Sequence, residues 1–138
     1  MTVIDADGLI LGRLASHISK RLLSGEDIII VNAEKSVISG SKDSISEKYK
    51  SHINRGSQER KTHFPKRPDR ILKRTIRGML PYKQKRGRNA YSLLRVYIEV
   101  PNELQDAHFE TIEGAKAARL SAQYVRLGEL SKKLGASW

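Results

Sequence analysis

Residues 27–33, "DIIIVNA", set four β-branched side chains in a row, Ile28 to Val31. A strand with one wet face alternates apolar and polar residues. An unbroken apolar run instead predicts a strand covered on both faces, as in a parallel sheet flanked by other layers. A parallel sheet needs crossover connections, and the chain supplies one just upstream. "TVID", residues 2–5, is β-prone and is followed by the turn signal "ADG". Leu11, Leu14, Ala15, Ile18 and Leu22 then recur at helical spacing, and Gly25 offers a glycine stop. Strand, helix and strand in succession make a βαβ unit and point to the α/β class.

Further along, "SVISGSK" (36–42) reads as a brief strand or turn, and residues 43–53 as a helix with Ile45, Tyr49 and Ile53 on one face. Between Arg55 and Arg70 the only large apolar residue is Phe64. So little burial does not offset the entropy of ordering, so a loop is expected that orders on a partner. Pro68 is a favourable first helical residue. Ile71, Leu72, Ile76, Met79 and Leu80 follow at helical spacing, with Arg70, Lys73, Arg74 and Arg77 on the other side, and Pro81 is expected to end the helix. "KQKRGR" (83–88) is expected to be a second loop and "SLLRVYIEV" (92–100) a strand. "EGAKAARLSA" (113–122) and "RLGELSKKLG" (126–135) read as short helices. Without a repeat, a low-complexity tract or a linker, residues 1–138 are expected to form one domain, with a basic segment at 55–88 and a charge-balanced C-terminal extension at 101–138. Trp138 is expected to meet a partner or to fold back on its own domain.

Charge carries the strongest functional signal. The 138 residues hold 26 Lys and Arg against 15 Asp and Glu, a net of +11, while only 38% are hydrophobic. Thirteen of the basic residues lie between Arg55 and Arg88 with just two acids, Glu59 and Asp69, so that segment alone carries +11 and the remainder is neutral. A solvated charged face normally mixes both signs. A membrane-surface helix needs a broad apolar face with bulky aromatics, and no run approaches the ~18–20 apolar residues that span a bilayer. The first residues have no basic stretch of the signal-peptide kind. A neutral scaffold with a concentrated basic insertion implies a polyanion, above all nucleic acid.

Sequence-specific DNA readers usually show a helix-turn-helix or zinc module. Arg-rich irregular segments, with Phe64, Tyr82 and Tyr91 able to stack on bases, suit folded RNA better; a chromosomal DNA-binding protein is the alternative. The candidate contacts are Arg55, Arg60, Lys61, His63, Lys66 and Arg67 in the loop, and Arg70, Lys73, Arg74 and Arg77 on the helix. Beyond the helix they are Tyr82, Lys83, Lys85, Arg86 and Arg88.

Enzymatic signals are poor. There is no cysteine, hence no disulfide and no thiolate ligand, which suits a reducing cytoplasm. His17, His52, His63 and His108 are scattered without metal-ligand spacing, so neither metal nor cofactor is expected. Asp5, Asp7 and Glu34 could meet at strand ends as an acid–base pair, although turn and capping roles are commoner. "GLILGRLAS" (8–16) puts glycine ahead of a helix, as a phosphate cradle or enzyme site would. It lacks both the Walker lysine and the third Rossmann glycine, and a tight turn before a packed helix is the structural alternative.

Several stretches occur in the order of a known family: "LGRLAS" (11–16), "VNAEK" (31–35), "SGSK" (39–42), "KYKSH" (48–52), "TIRGMLPYKQKRGR" (75–88) and "LRVY" (94–97). Over residues 2–100 the chain resembles the large-subunit ribosomal protein thirteen family. "LGELSKKLG" near the end, and the short stretch before "VNAEK", resemble its archaeal–eukaryotic branch. Glu99 stands where the family often has a small or turn residue. The resemblance implies a three-layer α/β/α fold with a four-stranded parallel sheet, and a non-catalytic part of the large ribosomal subunit in the cytoplasm. It also implies partners: large-subunit rRNA, met through the basic loop and "IRGMLPYKQKRGR", and neighbouring ribosomal proteins, but no membrane.

Overall fold

The computed structural model describes residues 1–54, 65–117 and 123–138. In chain order it contains β1 (Thr2–Asp5), α1 (Leu11–Leu23), β2 (Ile28–Val31), β3 (Val37–Ser39), α2 (Lys42–Asn54), α3 (Pro68–Gly78) and α4 (Lys85–Ser92). β4 (Leu94–Val96), β5 (Phe109–Glu110), β6 (Tyr124–Arg126) and α5 (Leu127–Lys133) follow. The β-branched run forms β2, and all four of its side chains are buried. β1, β4 and β5 join it in a four-stranded, all-parallel sheet with the order β4-β2-β1-β5. The α/β class expected from the βαβ unit and the four-stranded parallel sheet implied by the family resemblance are the ones observed.

The pleat divides this sheet's side chains between two cores. Ile4, Ile28 and Ile30 point into the main one, among Leu14, Ile18 and Leu22 of α1, Ile71, Leu72 and Ile76 of α3, and Leu127 and Leu130 of α5. Val3, Ile29 and Val31 point the other way, against Tyr97, Val100, Leu104, Ala107 and Phe109. Burial on both faces explains why β2 lacks alternation. The second covering layer is thin: the connection from β4 to β5, with a single 3-10 turn at Asn102–Leu104.

α1 exists because its apolar stripe buries Leu11, Leu14, Ala15, Ile18 and Leu22. It ends at Gly25, where φ is +95°. The Gly25 N–H donates to the Leu22 carbonyl at 3.0 Å and the Glu26 N–H to the Arg21 carbonyl at 3.2 Å, which is the Schellman arrangement. Residues 36–42 do contain a brief strand, β3, but it pairs antiparallel with β6 in a separate small sheet. α2 buries Ile45 and packs Tyr49 against the main core; the Ile53 side chain and residues 55–64 of the expected loop lie outside the described residues.

Three expectations need correction. "KQKRGR" is not a loop, since α4 begins at Lys85. Its buried face is only Gly87 and Ala90, residues too small to register as an apolar stripe. The strand expected at 92–100 shrinks to Leu94–Val96, because Ser92 completes α4 and the chain leaves the sheet to turn at Glu99. Over 113–122 the described part is a 3-10 turn, Glu113–Ala115, rather than an α-helix. Ala117 then donates its N–H to the Gly8 carbonyl at 2.8 Å, an interaction that pulls the chain out of helix.

Candidate nucleic-acid interface

α3 presents the basic surface. Ile71, Leu72 and Ile76 enter the main core, and the helix lies against α1 and β4. Lys73, Arg74 and Arg77 are half-buried, their stems lying along the protein, and Arg70 is exposed. Asp69, the one acid in the described part of the basic segment, has a side chain only 19% exposed and lies 3.4 Å from the Arg67 guanidinium. Among the described residues of this segment, Arg67 is the cation that Asp69 meets.

The helix ends at Gly78, and two 3-10-type bonds tighten the exit: Met79 N–H to the Ile76 carbonyl at 3.0 Å and Leu80 N–H to the Arg77 carbonyl at 3.1 Å. Leu80, 6% exposed, completes the apolar face as expected. Met79 does not, being 44% exposed at the helix cap. The chain then turns sharply, with Tyr82 N–H donating to the Leu80 carbonyl at 2.7 Å and Gln84 N–H to the Pro81 carbonyl at 3.0 Å. α4 comes back directly over this turn. A β-carbon on Gly87 would sit 2.0 Å from the Pro81 oxygen, so only glycine permits the crossing. Arg88 closes the turn by donating to the Lys83 carbonyl at 2.9 Å and to the Tyr82 carbonyl at 3.4 Å.

Aromatic rings brace the same place. The Arg77 guanidinium stands 3.9 Å from the Tyr82 ring centroid. Tyr82 meets Tyr91 edge to face at 5.6 Å, and the Lys73 ammonium lies 5.1 Å over Tyr91. Burial pushes the Tyr91 phenol above its ordinary pKa, against the pull of Arg77 and Arg74. Neither tyrosine is a loose aromatic finger: both are half-buried, and Tyr91 packs against the main core. Beside them is a hollow of about 510 Å³ walled by Arg74, Arg77, Gly78, Leu80, Pro81, Tyr82, Lys83 and Gln84.

The structure thus brings together Lys73, Arg74, Arg77, Tyr82, Lys83 and Arg88 around one helix–turn–helix corner. Lys66, Arg67, Arg70, Lys83, Lys85, Arg86 and Arg88 are exposed, while Arg55, Arg60, Lys61 and His63 lie outside the described residues. Sequence reading missed the residues that hold the corner. Gly87 carried a usable signal, a glycine within a basic run. Ser131 carried none, yet its hydroxyl donates to the Lys66 carbonyl at 2.5 Å and accepts from the Trp138 indole at 3.2 Å. Trp138 folds back on α5, with Lys132 5.0 Å from its ring, and so ties the end of the chain to the root of the basic loop.

The acids at the strand ends have structural partners. The Asp5 carboxylate accepts from the Asp7 N–H and from the Asn32 amide, each at 2.9 Å. Asn32 has a left-handed backbone, φ +58°, and so does Glu99 at +55°. Buried Glu34 accepts the Glu99 N–H at 3.0 Å, and the Asn32 N–H donates to the Glu99 carbonyl at 3.1 Å. "VNAEK" therefore staples the turn after β4. The N–H groups of Gly8, Leu9 and Ile10 are engaged by the carbonyls of Lys35, Ala6 and Ala115, so this turn does not offer them to a phosphate. Among the described residues no His, Asp and Glu side chains gather as metal ligands would, and no helix is long and apolar enough to cross a membrane.

The fold and the site place the chain among parallel α/β proteins that carry a segregated basic surface. The particular family follows from comparison. Residues 1–103 match the family model for ribosomal protein L13. The chain is 56% identical over 139 residues to "Large ribosomal subunit protein uL13" of Methanococcoides burtonii and 59% identical over 140 residues to that of Methanosarcina barkeri, with all of each chain covered. With the protein of the same name from Archaeoglobus fulgidus the identity is 56% over 136 residues, 97% of this chain and 87% of that one. The chain belongs to the ribosomal protein L13 family, a family of structural proteins rather than enzymes. Its fourth strand β5 and its last helix α5 lie beyond the matched residues.

Proposed function

We propose that this protein is a structural constituent of the large ribosomal subunit that binds large-subunit rRNA through residues 55–88 and helps the subunit assemble. One observation carries the reading above all. Of the seven Lys and Arg side chains between Lys73 and Arg88, with no acid among them, six are mounted on α3 and α4 and the seventh, Lys83, on the turn between them, a turn on which Gly87 seats α4. Such a mount holds cations at fixed spacing, which is what recognition of a folded phosphate backbone requires. Lys66, Arg67, Arg70, Arg74, Arg77, Lys83, Lys85 and Arg86 meet phosphates, joined by Arg55, Arg60, Lys61 and His63 of the loop. Lys73, Tyr82 and Arg88 mainly brace the corner. The balanced charge at 101–138 suits neighbouring ribosomal proteins, and the place of action is the ribosome. Crosslinking in cells followed by sequencing of the attached RNA tests this. Large-subunit rRNA attached to peptides within 66–88 is expected, and crosslinks spread evenly over unrelated RNA or duplex DNA would overturn it.

A further inference from the structure

We infer that the hollow at the α3–α4 corner is a receptor for one unpaired nucleobase of an RNA, stacked on the Arg77 guanidinium beside Tyr82. This deepens the RNA-binding reading above and rests on it. Four features of the corner converge. The hollow, an open one of about 510 Å³, is in the size range of small-ligand clefts. Its walls combine the apolar Leu80 and Pro81 with the cations Arg74, Arg77 and Lys83, and no acid occurs between Lys73 and Arg88. The Arg77 guanidinium already lies 3.9 Å over the Tyr82 ring, so a base on that plane extends an existing stack. Finally, the stack is held before any ligand arrives, because Tyr91 braces the ring of Tyr82 from the edge and Gly87 seats α4 on the Pro81 peptide.

The chemistry selects the ligand. An acidic peptide would need only the charges. A guanidinium–tyrosine pile with an apolar wall suits a flat heteroaromatic ring, and the cations at the rim suit the phosphate attached to it. Bases inside a paired A-form helix cannot reach such a site, whereas a bulged or looped-out base can. The corner therefore adds selectivity for a splayed nucleotide to the general attraction for phosphate.

The test uses the full chain and two RNA hairpins, each closed by the same hexaethylene glycol linker so that neither has loop bases, one fully paired and one carrying a single bulged 2-aminopurine. The wild-type protein is expected to bind the bulged hairpin roughly tenfold more tightly, by the worth of one stacked base, and to quench the 2-aminopurine fluorescence. Arg77→Lys keeps the charge and loses the plane, so the preference should fall towards one. Tyr82→Leu, with a melting curve to confirm folding, should do the same. Arg86→Ala, an exposed cation outside the hollow, should weaken both hairpins alike and leave the preference intact. Equal wild-type affinity for the two hairpins, or a preference and quench that survive Arg77→Lys, overturns the receptor and leaves RNA binding standing. Failure to bind either hairpin overturns the RNA reading itself.

Discussion

Gly87 shows how much one residue can decide. Its missing β-carbon lets α4 cross the Pro81 peptide, a contact that alanine would bring to 2.0 Å of a backbone oxygen. Backbone on both sides cannot yield as a flexible side chain would. Gly87→Ala is therefore expected to cost about 3 kcal/mol, the upper end for overpacking, read as a lower urea midpoint at unchanged slope. A change within about 0.5 kcal/mol would mean that α4 does not sit on the Pro81 peptide. Leu80 is the companion peg. Leu80→Asp buries a carboxylate and should cost about 2–4 kcal/mol, and it should weaken RNA binding without removing a positive side chain. Unchanged RNA affinity would show that charge alone matters. Leu80 was legible in the sequence from helical spacing, but Met79 at the same spacing is exposed, because the helix stops one residue earlier. Glu34 and Glu99 were legible only as oddities: a carboxylate near a strand end, and a bulky residue at a turn. The hydrogen bond from the Glu99 N–H explains the Glu34 carboxylate; its donor is backbone, so it does not call for glutamate at 99.

Among the elements, α1 and β2 were readable because each is long enough to repeat its pattern. α4, β5 and β6 were not. β5 has two residues and β6 three, too few for any period to emerge, and α4 buries only small residues. An electrostatic contact ties β5 down. Arg21 at the end of α1 bonds Glu26 just before β2 and reaches Glu110 of β5 at 3.3 Å. The Arg21 hydrogen bond, aided by one from Thr2, holds the Glu26 carboxyl below its ordinary pKa. A depressed acid contributes stability that is present above its unfolded pKa and is lost as pH falls through the folded one. Glu26→Gln should flatten the fall in stability below about pH 4, measured by urea unfolding across the acid range; an unchanged profile would remove the pair from the account. Ser131 links α5 to the root of the basic loop through the Lys66 carbonyl. Ser131→Ala removes that hydrogen bond, worth about 1 kcal/mol, and tryptic cleavage after Lys66 should be about fivefold faster. Cleavage at the wild-type rate would deny Ser131 this role.

At the scale of the molecule, a neutral α/β body carries its whole net charge of +11 in one segment. If about six phosphates are met directly, RNA affinity should drop roughly a thousandfold between ~50 and ~200 mM salt, by analogy with duplex DNA. Fluorescence anisotropy across that range checks this, and a flat response would rule out phosphate neutralisation as the basis of binding. Segregated charge, the βαβ unit, the doubly buried strand and the two faces of α3 were determined by the sequence alone. Each is a count or a period over neighbouring residues, and local sterics and burial act on such patterns directly. The edge pairing of β5, the small β3–β6 sheet, the helix at Lys85, the stapled turn at Glu99 and the hollow beside Tyr82 were decided only by the tertiary structure. Each rests on groups far apart in the chain, whose contacts become favourable only once the core has brought them together and met the entropy of closing the loops between them.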